Sequence, residues 1–164
     1  MHCHNHVRDW LAGWIAEQTG QVVDTEQRVP RWDRMGNDGE MERARLDVAF
    51  QDTQARTVYA DVAIVAASSE SPALERMRAA RDGAAAARAE DGKRLRYPGP
   101  NLIPFVVEKL GRPGADAVAL LRSFAPSAPE ERSHVLGYAW QTLSVIIQTE
   151  HAELLLSARR GPAN

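Results

Sequence analysis

The sequence has a single cysteine, no long apolar run and little net charge. Because Cys3 is alone, the chain cannot form an internal disulfide, so its fold cannot depend on an oxidising compartment. No apolar segment approaches the roughly 18 residues that a membrane-spanning helix needs, and the first residues lack the apolar core of a secretion signal. We therefore expect an intracellular protein without membrane contact. A formal net charge of -2 argues against a protein that coats nucleic acid by bulk electrostatics.

The composition is that of one ordinary globular domain. The chain has 164 residues, of which 44% are hydrophobic and 26% charged, and this length suits one sizeable core. Apolar residues at helical spacing predict a first helix from Val7 to Gln18, ending at Gly20. Strand-like segments are predicted at 21–30, 43–50 and 57–66, with a polar loop at 31–42 and a hairpin connection at 51–56.

The second half of the chain is predicted to contain one further strand and three helices. An Ala-, Arg- and Glu-rich helix begins near Pro72 and runs toward Tyr97. An apolar strand at 102–110 and helices at 115–124 and about 130–159 follow. This order predicts an α/β fold, with a small mixed sheet flanked by helices and an added long C-terminal helix.

We expect a single domain, with a core at 1–125 and a helical extension at 126–164 packed on that core. The last helix carries enough apolar residues to need a partner surface. That surface is either the rest of this domain or a second copy of the chain, as in a homodimer.

Two aspartates lie inside the strands of the predicted hairpin. Asp47 lies in an apolar run at 46–50, and Asp61 lies in a second run at 58–65. A carboxylate in an otherwise apolar strand loses hydration unless a partner compensates its charge, and a shared divalent cation is one such partner. The alternative for each aspartate is an edge residue that faces water. Together they predict a Mg²⁺ site for phosphodiester hydrolysis, in which Mn²⁺ can substitute.

A basic segment follows the two aspartates. Residues 76–96 carry seven arginines or lysines against three acidic residues, and residues 93–97 read Lys-Arg-Leu-Arg-Tyr. Such a segment either faces DNA phosphates or forms a solvated helical face. If it faces DNA, the contacting residues would be Arg88, Arg94, Arg96 and Tyr97.

Other candidate residues have competing interpretations. Glu26 is either a third metal-binding carboxylate or a surface residue beside Asp24, and Glu108 in its apolar strand is either structural or catalytic. The opening His2-Cys3-His4-Asn5-His6 suggests zinc, but a zinc site needs four converging ligands and no cysteine follows Cys3. These first residues are therefore expected to form a tail or a helix start.

Taken in order, the residues resemble the restriction-like endonuclease domain of site-specific non-LTR retrotransposons, a branch of the PD-(D/E)XK nuclease superfamily. The resemblance covers roughly residues 5–125. Its motifs are Asn5-His6-Val7-Arg8-Asp9, Glu26-Gln27-Arg28-Val29-Pro30, Arg45-Leu46-Asp47-Val48, Asp61-Val62-Ala63-Ile64-Val65, Lys93 through Tyr97, and Ile103 through Gly111.

The resemblance implies a Mg²⁺-dependent DNA endonuclease. Asp47 and Asp61 would bind the metal with Glu26 as a third carboxylate, and Lys93 would orient the nucleophile or neutralise developing charge. The chain departs from the common pattern at Ala63, where other members of the superfamily carry the lysine, so Lys93 must act from a helix instead. The alternative for Lys93 is a solvated helix end. A second departure is Leu46, where the family has proline before the first aspartate.

The same residues are compatible with two other functions. One is a catalytically decayed nuclease fold that serves as a nucleic-acid or protein interaction module. The other is a structure-selective junction resolvase, which shares the fold and the site and differs only in substrate. The resemblance also implies a former fusion to a reverse transcriptase, and a nuclear location if the source is eukaryotic.

Overall fold

A computed structural model of the chain describes residues 2–66 and 83–159. The first half contains α1 (His2–Thr19), β1 (Asp24–Arg28), a 3₁₀ turn (Pro30–Trp32), β2 (Arg34–Met35), β3 (Met41–Glu42), β4 (Arg45–Gln51) and β5 (Thr57–Val65). The second half contains α2 (Ala84–Arg96), β6 (Leu102–Glu108), α3 (Ala115–Phe124) and α4 (Pro129–Arg159). The predicted helix start near Pro72 and the basic residues Arg76, Arg78 and Arg81 lie outside the described residues.

The main sheet has four strands in the order β1-β4-β5-β6. β4 is antiparallel to both β1 and β5, whereas β6 is parallel to β5. The predicted hairpin at 51–56 is confirmed, because β4 and β5 pair as antiparallel neighbours. Asp52 Oδ1 closes the turn by accepting the backbone N–H groups of Gln54 and Arg56 at 2.8 and 3.0 Å. The predicted mixed α/β fold with a small sheet and flanking helices is thereby confirmed.

The prediction of a plain loop at 31–42 is wrong. That segment contains β2 and β3, which pair as a separate antiparallel hairpin. Each of these strands has two residues, which is too short to show the alternation of apolar and polar side chains that identifies a strand in sequence.

The larger core cluster lies between the sheet and helices α1, α3 and α4. Val58, Ala60 and Val62 of β5 belong to this cluster, while Tyr59 packs against a smaller cluster. Because neighbouring side chains of a strand point to opposite faces, Asp61 shares the face of Tyr59 rather than that of the larger core.

The apolar face of helix α4 packs on the rest of the domain, which is one of the two partner surfaces predicted for it. Ala139, Leu143 and Ile147 are buried in the same cluster as the inner residues of α1. Five large apolar side chains of α4 remain exposed, namely Tyr138, Val145, Leu154, Leu155 and Leu156. Neither α4 nor another helix within residues 2–66 and 83–159 combines the length and apolar character needed to cross a lipid bilayer.

The smaller cluster fixes the end of α2 against the sheet. It joins Tyr97, which follows α2, to Trp32, and their ring centroids lie 5.6 Å apart. The indole Nε1–H of Trp32 donates to the Pro98 carbonyl at 2.9 Å. The ring is therefore fixed by a hydrogen bond as well as by apolar packing. The last turn of α2, which carries Lys93, is therefore held close to β5.

Candidate active site

Asp47 and Asp61 lie opposite each other on neighbouring strands. The register of β4 and β5 pairs Val48 with Ala60, and one step further along that register Asp47 meets Asp61. Each carboxyl group affects the proton affinity of the other. Their side chains are 14% and 12% exposed, so both acidic groups are largely removed from water while still reachable from a cleft.

Lys93 reaches this pair from α2. Its Nζ donates to Asp61 Oδ2 at 2.5 Å and to the Val62 carbonyl at 3.2 Å, and its side chain is 18% exposed. Ala89 and Gly92 line the cleft together with Lys93. Ala89 lies four residues before Lys93 and three before Gly92, so the helical spacing places it on the same face as both. The methyl group of Ala89 and the absence of a side chain at Gly92 leave room for the cleft beside the lysine.

Helix α2 is held at its start by a buried carboxylate. Gly83, at the N-cap position, supplies no side-chain bond to the helix, but Glu108 Oε1 accepts the N–H of Ala86 at 3.3 Å. A carboxylate at a helix N-terminus is favoured by the helix dipole as well as by the hydrogen bond. Glu108 is buried at the end of β6 and does not line the cleft, which agrees with its structural alternative.

His4 enters the cleft from the first turn of α1. Its Nε2 lies 3.1 Å from Asp47 Oδ2, and its side chain is 37% exposed. Of the two predicted alternatives for the first residues, a tail or a helix start, the structure has the helix start. His4 was not among the predicted site residues. Its spacing of three and seven residues from Val7 and Leu11, both fully buried, was the available signal, since it puts His4 on the inner face of α1.

The two aspartates differ in their affinity for protons. Burial raises the pKa of Asp61 from 3.8 to about 6; the charge and hydrogen bond of Lys93 oppose this, and the charge of Asp47 adds to it. For Asp47, burial acts in the same direction but is outweighed by the hydrogen bond and charge of His4 and by the Val62 N–H, so its pKa lies below 3.8. Of the two carboxyl groups, Asp61 therefore binds a proton more strongly.

Arg96 and Tyr97 line the same cleft, which has a volume of about 420 Å³. Arg96 also donates to Glu42 at 3.3 Å. The other two predicted DNA-contacting residues are elsewhere on α2: Arg94 is ion-paired with Asp91 and Asp116, and Arg88 is exposed. The structure thus brings two of the four predicted DNA contacts to the carboxylates.

Glu26 lies in the same row of the sheet but points to other partners. The β1–β4 register places it across from Asp47, between the pairs Thr25–Val48 and Gln27–Leu46. Its backbone has a φ of 55°, which is unusual for a non-glycine residue, and its carboxylate is ion-paired with Arg8 and Arg45. Glu26 is therefore close in register to the aspartates but bound by two arginines.

The oxygen atoms of the cleft suit a hard divalent cation. They are the carboxylates of Asp47 and Asp61 and the Val62 carbonyl, which faces the same lysine. Within the part of the chain that the structure describes, no group of three or more His, Cys, Asp and Glu side chains forms a metal site. Mg²⁺ does not need one, because it commonly binds through one or two carboxylates and keeps water and phosphate oxygens as its other ligands.

The pKa of Asp61 predicts how stability depends on pH in the absence of divalent cations. Since Asp61 holds its proton to about pH 6 when folded and loses it near 3.8 when unfolded, the free energy of unfolding should fall as pH rises from 4 to 7. The contribution of this one group is about 3 kcal/mol. Urea denaturation at pH 4.5 and 7 should show the fall in wild type and a smaller one in Asp61→Asn. An equal fall in both proteins would contradict this assignment.

A comparison with protein-family models, curated proteins and solved structures found no match to this chain.

Proposed function

We propose that this protein is a Mg²⁺-dependent endonuclease that hydrolyses phosphodiester bonds of DNA, with a restriction-endonuclease-like site. The observation that carries the proposal is the convergence of Asp47, Asp61 and Lys93 in one cleft, although they come from β4, β5 and α2. A pair of carboxylates that can hold a metal ion, beside a lysine, suits phosphodiester hydrolysis. The ordered motifs that resemble retrotransposon endonuclease domains also support the proposal.

In this proposal Asp47 and Asp61 hold Mg²⁺ or Mn²⁺. When bound, the cation polarises the phosphate and lowers the pKa of the attacking water. Glu26 could join these two carboxylates as a third ligand only by leaving Arg8 and Arg45.

Lys93 supplies positive charge where negative charge accumulates in the transition state. Its Nζ already lies between Asp61 and the Val62 carbonyl, so it needs no large rearrangement to contact a phosphate oxygen in the cleft. A charge held in place before the reaction stabilises the transition state more than one that must reorganise.

Arg96 and Tyr97 extend the cleft toward DNA. The Arg96 guanidinium is about half exposed and lies 5.4 Å from the Tyr97 ring centroid, so it can bind a backbone phosphate next to the one that is cleaved. Arg88 and Arg94 would add phosphate contacts further along α2. These contacts supply affinity that depends on salt and that carries no sequence preference.

Nicking of supercoiled plasmid tests the proposal. At low salt the purified chain should convert supercoiled to open-circular DNA with Mg²⁺ or Mn²⁺ and not with EDTA. Asp47→Asn should be inactive, since an amide does not compensate the cation's charge. Asp24→Asn is the matched control, because Asp24 is exposed in β1 and lies outside the cleft.

The same assay separates the two alternative functions. A folded wild-type chain that cleaves neither plasmid nor branched DNA would contradict the proposal and favour the decayed interaction module. Cleavage of a four-way junction without nicking of plasmid would favour the junction resolvase.

A further inference from the structure

We propose that His4 is a positioning residue, which holds the carboxylate of Asp47 in the orientation that binds the cation. The inference rests on the proposed function, because it concerns the same cleft. His4 lies in α1, outside both the two strands that carry the aspartates and the basic segment.

Two donors from different elements converge on one oxygen of Asp47. His4 Nε2 lies 3.1 Å from Asp47 Oδ2, and the backbone N–H of Val62 donates to that same oxygen at 2.7 Å. With Oδ2 held by both donors, the carboxylate cannot turn about its Cβ–Cγ bond without breaking two hydrogen bonds. The other oxygen is thereby kept in a fixed direction.

The element that carries His4 is rigidly placed. Val7 and Leu11, on the same face of α1, have no exposed surface, so the helix cannot shift without disturbing the core. Val62 belongs to β5, the strand of Asp61. The orientation of Asp47 is thus set by the core on one side and by the strand of the second carboxylate on the other.

The position of His4 distinguishes this role from simple packing. Its side chain is 37% exposed and lines the cleft with Asp47, Asp61 and Lys93, and it belongs to neither apolar cluster of the core. Groups that hydrogen bond to a metal-binding carboxylate commonly change metal affinity by 10–100-fold when removed. The effect of His4 should therefore be on the cation more than on the fold.

The inference is tested by measuring Mn²⁺ binding at pH 8 without DNA. The loss of the EPR signal of the free ion reports the bound fraction. We expect His4→Ala to raise the dissociation constant for Mn²⁺ by about 10–100-fold. His4→Gln should recover most of that affinity, because its amide N–H can reach Asp47 from the same turn of the helix. His134→Ala is the matched control, since His134 is exposed on α4. Urea denaturation should show that all three variants are folded.

The outcomes distinguish this inference from the proposed function. Equal Mn²⁺ affinity of wild type and His4→Ala would overturn the role of His4 alone. Weaker binding that His4→Gln does not recover would also overturn it, because the hydrogen bond would then not be the cause. If the wild type binds no Mn²⁺, the proposed metal site fails, and the inference fails with it.

Discussion

Asp61→Asn should lower the rate of plasmid nicking by at least about 10³-fold, which corresponds to about 4 kcal/mol of transition-state stabilisation. The asparagine keeps the size of the side chain and an oxygen that can accept from Lys93. It removes the negative charge that the proposed cation requires. At pH 8 the folded variant should be at least as stable as wild type, since the carboxylate that it replaces is ionised there at a cost from burial.

The measurement compares initial nicking rates with DNA affinity and with the midpoint of urea denaturation. DNA affinity, from a mobility-shift titration in EDTA, should change by less than about threefold, because backbone contacts come mainly from basic side chains. Asp24→Asn should match wild type in all three. Loss of nicking together with loss of stability would point to a structural role for Asp61, and retained nicking would remove it from the site.

Lys93→Ala should reduce nicking by about 10²–10³-fold, the usual effect of removing a group that stabilises transition-state charge. The chain uses arginine for nearly all of its positive charges, and Lys109 is its other lysine. Lys109 is exposed beyond the end of β6, so Lys109→Ala is the matched control and should nick like wild type. Equal rates for Lys93→Ala and Lys109→Ala would mean that Lys93 is only a partner of Asp61.

Moving the lysine should restore part of the activity. Ala63 is two residues after Asp61, so both side chains leave β5 on the same face, and Ala63 is only half-buried. In the Lys93→Ala background, Ala63→Lys should recover at least about tenfold of the lost rate, because a charge within reach of the same carboxylates can replace the missing one. The failure of a folded double variant to recover would show that the cleft requires the lysine to come from α2.

Most of the fold could be predicted from sequence because its elements are long and periodic. The segment 115–124 was predicted as a helix with the bounds it has in the structure, and Gly20, with a φ of 70°, ends α1 as expected. The hairpin that joins the aspartates was readable because a short polar segment separates two apolar strands. The pairing of β2 with β3 was not, since two-residue strands carry no pattern.

The site was predicted less completely, for a different physical reason. Asp47 and Asp61 could be paired because the hairpin makes them neighbours through local geometry. The contact of His4 with Asp47 spans 43 residues and depends on how α1 packs on the sheet, which periodicity alone does not specify. For Glu26 the strand was predicted correctly, but a positive φ is rare for glutamate, and the two arginine partners depend on tertiary packing.

The buried glutamates have a consequence for any attempt to shorten or transplant this cleft. Glu108 of β6 accepts a backbone N–H from the start of α2. Glu90 of α2 accepts the N–H of Asp116 at 3.0 Å, at the start of α3. Gly114 lies so close to Glu90 that an added Cβ would collide with its carboxylate. A graft limited to β4, β5 and α2 would carry the two aspartates and the lysine but would leave Glu90 without its backbone donor. The smallest transferable unit therefore includes β6 and α3, although neither contributes an acidic residue to the cleft.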